Sequence, residues 1–332
     1  MSLISIVLIS YNDEANVGNA IQSLIDQSLK DIEIVCVDDG SSDRTLEIME
    51  QAASKDSRVR VFTQEHNGCF SARYKGLQEV SSDYVMFIDS DDILLPEAAK
   101  TLMKEIEITQ ADVMEFGVNL VSDDLSNHHV RNVFNFLLNH FSHSKPVPLE
   151  KSGGALINAC FNDKSITWNI WNKVYKTNIV RDAWRFYKGE FITMLEDMLE
   201  TLMILSLAHC YVRIDTKLYS YHVGHGISTS PNAMFVFEAS KLFGMQALIL
   251  RLQNEWMDKL EVKPQNCEIG IIAFRRFVRN CLFNALFFRC DLSKRNEMVE
   301  WIGNCISTVD AYHELLTYVY ENYACQNCSA QN

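Results

Sequence analysis

Residues 4–45 read ISIVLISYNDEANVGNAIQSLIDQSLKDIEIVCVDDGSSDRT, and this stretch decides the fold class. Leu3–Ile9 is a β-branched apolar run that stops at the turn residues Ser10-Tyr11-Asn12-Asp13. Val17, Ala20, Ile21 and Leu24 follow at a spacing that puts them on one helical face. Ile32–Val37 is a second apolar run, ended by Asp38-Asp39-Gly40-Ser41-Ser42. Ser41 or Ser42 is placed to cap a helix that carries Thr45, Ile48, Met49 and Ala52 on one face. The alternation continues outward. Val59–Phe62 reads as a strand, Cys69–Val80 as a helix, and Tyr84–Ile88 as a strand closed by Asp89-Ser90-Asp91-Asp92. A further helix begins near Pro96, a residue suited to a first turn. Apolar strands alternating with amphipathic helices imply a mostly parallel sheet covered on both faces, so the expected class is α/β.

Beyond residue 120 the pattern changes. Asp123–Gly154 is rich in His, Asn and Ser, contains Pro146 and Pro148, and reads as an irregular excursion. From Pro231 onward helical periodicity dominates. Phe274, Phe277, Val278, Cys281, Leu282, Ala285 and Phe288 form one stripe, with Arg275, Arg276 and Arg279 off it. That stripe suits helix packing, or contact with an anionic membrane surface.

The chain has 332 residues, enough to bury roughly three quarters of its unfolded surface without disulfides or a structural metal. Hydrophobic residues make up 48% and charged residues 22%, which excludes a disordered chain or a long coiled coil. Thirty Lys and Arg stand against 43 Asp and Glu, a net charge of -13. Sequence-independent nucleic-acid binding needs clustered cations and is not expected from that balance. Ten scattered cysteines and a first segment with no basic n-region point to a reducing, cytoplasmic setting. Cys325 and Cys328 form a CxxC with no second pair near it. No uncharged apolar run approaches the ~18–20 residues that span a bilayer.

Carboxylates gather where strands end. In an open α/β sheet, ligands bind beyond the carboxyl ends of the strands. Ser10-Tyr11-Asn12, Asp38-Asp39, His66-Asn67-Gly68 and Asp89-Ser90-Asp91 all fall there. Aspartates also favour turns and caps, so one such cluster means little. Two of them along one sheet, however, concentrate like charge at a cost that a ligand would relieve. Asp89 and Asp91, two residues apart in an extended segment, point the same way and suit one hard cation, Mn²⁺ or Mg²⁺.

Together with those strand ends, EHNGCFSARYKGL (Glu65–Leu77) and YVMFIDSDDILLP (Tyr84–Pro96) resemble the nucleotide-binding part of glycosyltransferase family 2. WNKVYK (Trp171–Lys176), LED (Leu195–Asp197) and LYSYHVGHGIST (Leu218–Thr229) resemble the acceptor half of its bacterial cell-surface polysaccharide members. The resemblance covers about two thirds of the chain. It implies a GT-A fold with a nucleotide-sugar half over 1–120, an acceptor half over 121–230, and a C-terminal helical region over 231–332. It also implies a metal-dependent, inverting transfer from a nucleotide-diphosphate sugar, most often a UDP-sugar, to a glycan, glycolipid or glycoprotein hydroxyl. Ser10, Tyr11 and Asn12 would line the base and ribose pocket, and Asp39 would accept from the uracil imide. Arg73 would sit near the base or diphosphate, and Asp89, Ser90 and Asp91 would form the DxD segment, with Asp91 the direct metal ligand and Asp89 nearer the ribose. Asp197 would be the catalytic base with Glu196 beside it, only one of the two pointing into the site. His222 stands where relatives often carry an arginine, which leaves the diphosphate to His225 or Ser228.

Other features are weaker. Trp168, Trp171 and Tyr175 suit either a sugar platform or the core, and His128, His129, His140 and His143 lack the spacing of a metal site. A nucleotidyltransferase would carry a Gly-rich basic loop after the first strand, where this chain has Ser10-Tyr11-Asn12-Asp13. A phosphoacceptor receiver domain would carry its paired aspartates after the first strand rather than the second. An inactive sugar-nucleotide scaffold would have little use for Asp39, Asp91 and Asp197 together. The expected location is cytoplasmic, or peripheral on the inner face of a membrane.

Overall fold

The computed structural model describes residues 3–142, 148–149, 153–192, 195–225, 239–260, 267–276 and 278. The chain packs as two units, Met1–Ala233 with Leu248–Phe274, and Met234–Ala247 with Arg275–Asn332. The described part of the second unit is helical; every site discussed below lies in the first.

The apolar runs form the strands the alternation predicts. These are β1 (Ile4–Ser10), β2 (Ile32–Asp38), β3 (Val59–Thr63) and β4 (Tyr84–Asp89), separated by α1 (Val17–Ile25), α2 (Thr45–Lys55) and α3 (Cys69–Glu79). They pair parallel in the order β3-β2-β1-β4. β1 is buried along its whole length, because helices cover both faces of the sheet. Register places Ser10 opposite Asp38 and Ile9 opposite Asp89. Three acidic or polar strand ends therefore meet at one rim.

The other half of the sheet is mixed. β5 (Ile93–Leu94), α4 (Ala98–Thr109) and β6 (Val113–Val121) are followed by α5 (His128–Ser142), β7 (Pro148–Leu149) and α6 (Gly153–Phe161). Then come β8 (Lys173–Lys176), α7 (Thr177–Trp184), α8 (Glu196–Leu207), β9 (Tyr211–His222) and α9 (Ala239–Lys259). β8 lies antiparallel between β4 and β6, while β9 runs parallel to β6 and antiparallel to β5 and β7. The sheet is thus parallel where the acidic strand ends lie and mixed beyond them.

Two local expectations are corrected. The polar excursion after Asp123 contains the fifteen-residue helix α5. Its apolar residues Val130, Phe134, Leu137 and Phe141 recur at helical spacing beneath a polar composition, and Phe141 packs edge-on against Trp171. Ser41 and Ser42 do not cap α2. The Asp43 carboxylate accepts from the Thr45 N–H at 3.0 Å instead, and both serines bond to Asn12. Among the described residues no helix is long and apolar enough to cross a membrane.

A buried charged cluster holds the mixed half together. Lys173 and Arg213, on β8 and β9, both pair with Glu115 on β6, at 3.4 and 3.0 Å, and all three are almost fully buried. Lys173 Nζ also donates to Thr167 Oγ1, the Asn169 carbonyl and Asn172 Oδ1. The loop from Thr167 to Asn172 is thereby fixed, which matters because it borders the site.

Candidate active site

The β1 loop is clasped to the loops beside it. Asn12, held at a left-handed φ of 50°, accepts from the Ser42 N–H at 2.7 Å and donates its own N–H to Ser41 Oγ at 2.9 Å. Asp13 accepts from Ser90 Oγ at 2.6 Å. Ser90 is therefore a strut between the first loop and the DxD segment, its hydroxyl already spent. Ser10 is buried at the end of β1, and Tyr11 is 42% exposed beside it.

Asp39 organises the loop before α3. Its Oδ1 accepts from Gln64 Nε2 at 2.7 Å and the Asn67 N–H at 2.9 Å. Its Oδ2 accepts from the Gly68 N–H at 2.8 Å and faces His66 Nδ1 at 2.9 Å. Glycine at two positions permits this. Gly40 has a φ of 77°, and a Cβ there would meet the His66 nitrogen at 2.7 Å; Gly68 has a φ of 85°. Above Asp39 the His66 ring stacks on Tyr11 at 3.9 Å between centroids, with Phe191 edge-on at 5.5 Å.

The DxD segment follows β4. Asp89 is partly exposed and Asp91 half-buried. Burial, together with the Asp89 and Asp13 carboxylates, pushes the Asp91 carboxyl from 3.8 up to about 7. The wholly buried Asp92, which sequence reasoning passed over, accepts from Tyr219 Oη at 2.7 Å and from the His222 N–H at 2.8 Å. These bonds fasten the end of β9 to the DxD segment; His225, three residues further on, has its Nε2 3.4 Å from Asp123. Ser228 falls outside the described residues. The only sign of this link in the sequence is Tyr219, the first tyrosine of LYSYH.

Arg73 joins the two halves. The guanidinium is 2% exposed and sits among carboxylates rather than being offered to a base. Nη2 reaches Asp89 at 3.2 Å, while Nη1 reaches Asp197 at 2.9 Å and Glu200 at 3.0 Å, with Glu196 at 3.8 Å. Leu195, at a φ of 62°, opens α8 so that Glu196 and Asp197 fall in its first turn, where the helix dipole favours negative charge. Both acidic residues thus lie near the guanidinium, with Asp197 the closer of the two. The Ile170 N–H, from the loop held by Lys173, also donates to Asp197.

Burial raises the pKa of all three carboxyls on α8, against the pull of Arg73. Glu196 reaches about 7, whereas wholly buried Glu200 lies well above its ordinary value. Burial opposes the charge on Arg73, but the Glu200, Asp197 and Asp89 carboxylates overcome it.

The aromatic candidates divide. Tyr175 is fully buried, and Trp171 stacks against Tyr219 and Tyr221 at 5.0 and 4.6 Å, so both belong to the core. Trp168 is half-buried in the loop that borders Asp197. The 274–289 stripe lies mostly outside the described residues; its first member, Phe274, is buried against Phe161.

The raised Asp91 carboxyl supports a stability test. The folded state holds that proton more tightly than the unfolded chain, so stability is lost as pH rises from about 4 to about 7. Asp91→Asn removes the penalty, whose upper bound is about 4 kcal/mol. In chelator, the variant should melt several degrees above the native chain at pH 8, with a smaller gain at pH 5. An equal gain at both would mean that Asp91 is not held as described.

Residues 5–165 match the family model described as Glycosyl transferase family 2. The chain is similar to the uncharacterized glycosyltransferase EpsJ of Bacillus subtilis, with 30% identity over 220 residues, 66% of this chain and 60% of that one. Glycosyltransferase GlyA of Streptococcus pneumoniae is 30% identical over 224 residues, 67% of this chain and 31% of that one. The chain therefore spans less than two thirds of the length of these relatives. Among solved structures it is similar to S. aureus TarS 1–349, with a TM-score of 0.62 and 18% identity, covering 92% of this chain and 80% of the other. The same TarS fragment in complex with UDP gives a TM-score of 0.62 at 20% identity. At such identity the likeness establishes the fold, which is of the GT-A type.

Proposed function

Because this chain belongs, through residues 5–165, to glycosyl transferase family 2, we propose that it moves a sugar from a UDP-sugar to an acceptor hydroxyl with inversion. The observation that carries this reading is the Arg73 bridge, which sets Asp197 from α8 beside Asp89 of the DxD segment. A displacement with inversion needs a leaving group on one side of the anomeric carbon and a base on the other. Asp197 is that base in our reading. Its raised pKa makes it a better acceptor of a hydroxyl proton than an ordinary aspartate. Arg73 and the Ile170 N–H orient it. A glycan, glycolipid or glycoprotein would present the hydroxyl, at a membrane surface if it is lipid-linked.

Asp91 and Asp89 fit a hard divalent cation, Mn²⁺ or Mg²⁺. Asp91 is a half-buried carboxylate crowded by two others, and a cation would relieve the repulsion that lifts its pKa. Among the described residues no three His, Cys, Asp or Glu side chains are grouped to hold a metal ion. The fit therefore requires donor phosphates to complete the shell, the ordinary arrangement for Mg²⁺. Bound there, the cation would neutralise charge developing on the departing diphosphate. Tyr11 and Asp39 take the base, Ser10 and Asn12 shape the pocket floor through the loops they clasp, and His225 approaches the diphosphate side.

Calorimetry with UDP provides the test. Binding should need Mn²⁺ in the native chain and be much weakened in Asp91→Asn. Metal-independent binding of equal strength in both would remove the cation from this site.

A further inference from the structure

Asp39 has no acceptor capacity left. A carboxylate offers about four lone-pair positions, and the four donors around Asp39 use two on each oxygen. An ionised carboxylate only accepts, so His66 Nδ1 carries the proton and donates it. Two of the other donors are the backbone N–H groups of Asn67 and Gly68, fixed by the loop. Gln64 is half-buried, and its amide is also bonded to Ser71 Oγ at 3.1 Å. His66 alone is an exposed side chain, its ring 36% accessible.

The His66 ring is also where a nucleobase would lie. It is a planar aromatic ring stacked on Tyr11 at 16° between planes, flanked by the edge of Phe191, with one ring N–H given to Asp39. A uracil stacked on Tyr11 with its imide N–H toward Asp39 would make the same two contacts. The ring and the base compete for one slot.

We infer that His66 is a displaceable plug of the nucleobase subsite, standing in for uracil until a uridine nucleotide moves it aside. The inference rests on the reading that Tyr11 and Asp39 take the base. Asp39, once freed of the plug, then discriminates among bases. Only a base with an N–H at that position restores the bond that His66 gives up. Cytosine, with an unprotonated ring nitrogen there, leaves Asp39 one donor short. The Asn67 amide extends the arrangement, since its Nδ2 donates to both Ser71 Oγ and the Gly189 carbonyl, next to the segment that carries Phe191.

Removing a competitor raises apparent affinity by the inverse of the fraction of time the slot stands open. One net hydrogen bond and one stacking contact, each at the low end of its range, correspond to about fivefold. Calorimetry should therefore give about fivefold tighter UDP binding for His66→Ala than for the native chain, and CDP binding tightened by the same factor, because the plugged free state is common to both. Imidazole resonances supply a second measurement on the native protein. Histidine-labelled NMR should show His66 ring protons shifted by the Tyr11 ring in the free chain, and that shift lost on adding UDP. Unchanged or weaker UDP binding by His66→Ala, or a stacking shift that persists at UDP saturation, would overturn the plug. The reading beneath it fails differently: UDP binding that survives both Asp39→Ala and Tyr11→Ala would place the base elsewhere.

Discussion

Asp197→Asn is expected to lower sugar transfer by about 10²-fold or more, with UDP affinity changed no more than about twofold. Asparagine keeps the size of the side chain and can still accept from Arg73 and from the Ile170 N–H, but it cannot take a proton. Arg73 keeps Asp89 and Glu200 as partners, so the donor rim should stay in place. Loss of kcat without loss of binding is the mark of an interaction made in the transition state. In the native chain the acid limb of the rate should lie above the ordinary carboxylate value of 3.8, since burial raises the Asp197 pKa against the pull of Arg73. Glu196→Gln should be milder: Glu196 stands 3.8 Å from the guanidinium, against 2.9 Å for Asp197. A dead Glu196→Gln and an active Asp197→Asn would transfer the base to Glu196.

The second large effect concerns stability. Arg73→Met leaves the Asp89, Asp197 and Glu200 carboxylates without the cation that all three share. Removing one partner of a buried ion pair costs about 3–5 kcal/mol, which for a chain of this size is a fall of about 4–7 °C in melting temperature. Protonated carboxyls need no counter-charge, so the loss should be larger at pH 8 than at pH 5. Thermal unfolding at the two pH values decides it. A variant as stable as the native chain at pH 8 would mean that the cluster does not depend on Arg73. Arg73→Lys should recover part of the loss, because an ammonium keeps the charge without the fork that reaches Asp89 and Asp197 together.

What was legible in the sequence was local. Apolar runs such as Ile4–Ser10 and Tyr84–Asp89 announce buried strands, and their polar ends gather on one rim because parallel register leaves no other place for them. The mixed half was less legible. Lys173, Glu115 and Arg213 put charge inside β8, β6 and β9, where periodicity leads one to expect apolar residues, and only their mutual pairing across three strands makes burial possible. α5 was hidden by composition, because its asparagines and histidines dilute an apolar stripe that still has helical spacing.

The site divides in the same way. The acidic strand ends stood out as clusters. The partners that give those residues their roles did not, since Arg73 meets Asp197 and Glu200 across more than a hundred residues. Asp92 was overshadowed by its neighbours in Asp89-Ser90-Asp91, although it is the one that fastens β9 to the rim. His66 was visible only as part of a loop; its ring stacking on Tyr11 depends on the turns at Gly40 and Gly68.

The central claim is that this rim binds a UDP-sugar and that Asp197 takes the proton of the hydroxyl that displaces UDP from it. Chromatographic detection of free UDP, from a panel of UDP-hexoses and UDP-N-acetylhexosamines incubated with the protein and Mn²⁺, tests it most directly. At least one donor should yield UDP above the protein-free control, with the yield lost on adding chelator and in Asp91→Asn. No UDP from any donor in Mn²⁺ or Mg²⁺, with another nucleotide released from its own sugar donor, would contradict the account.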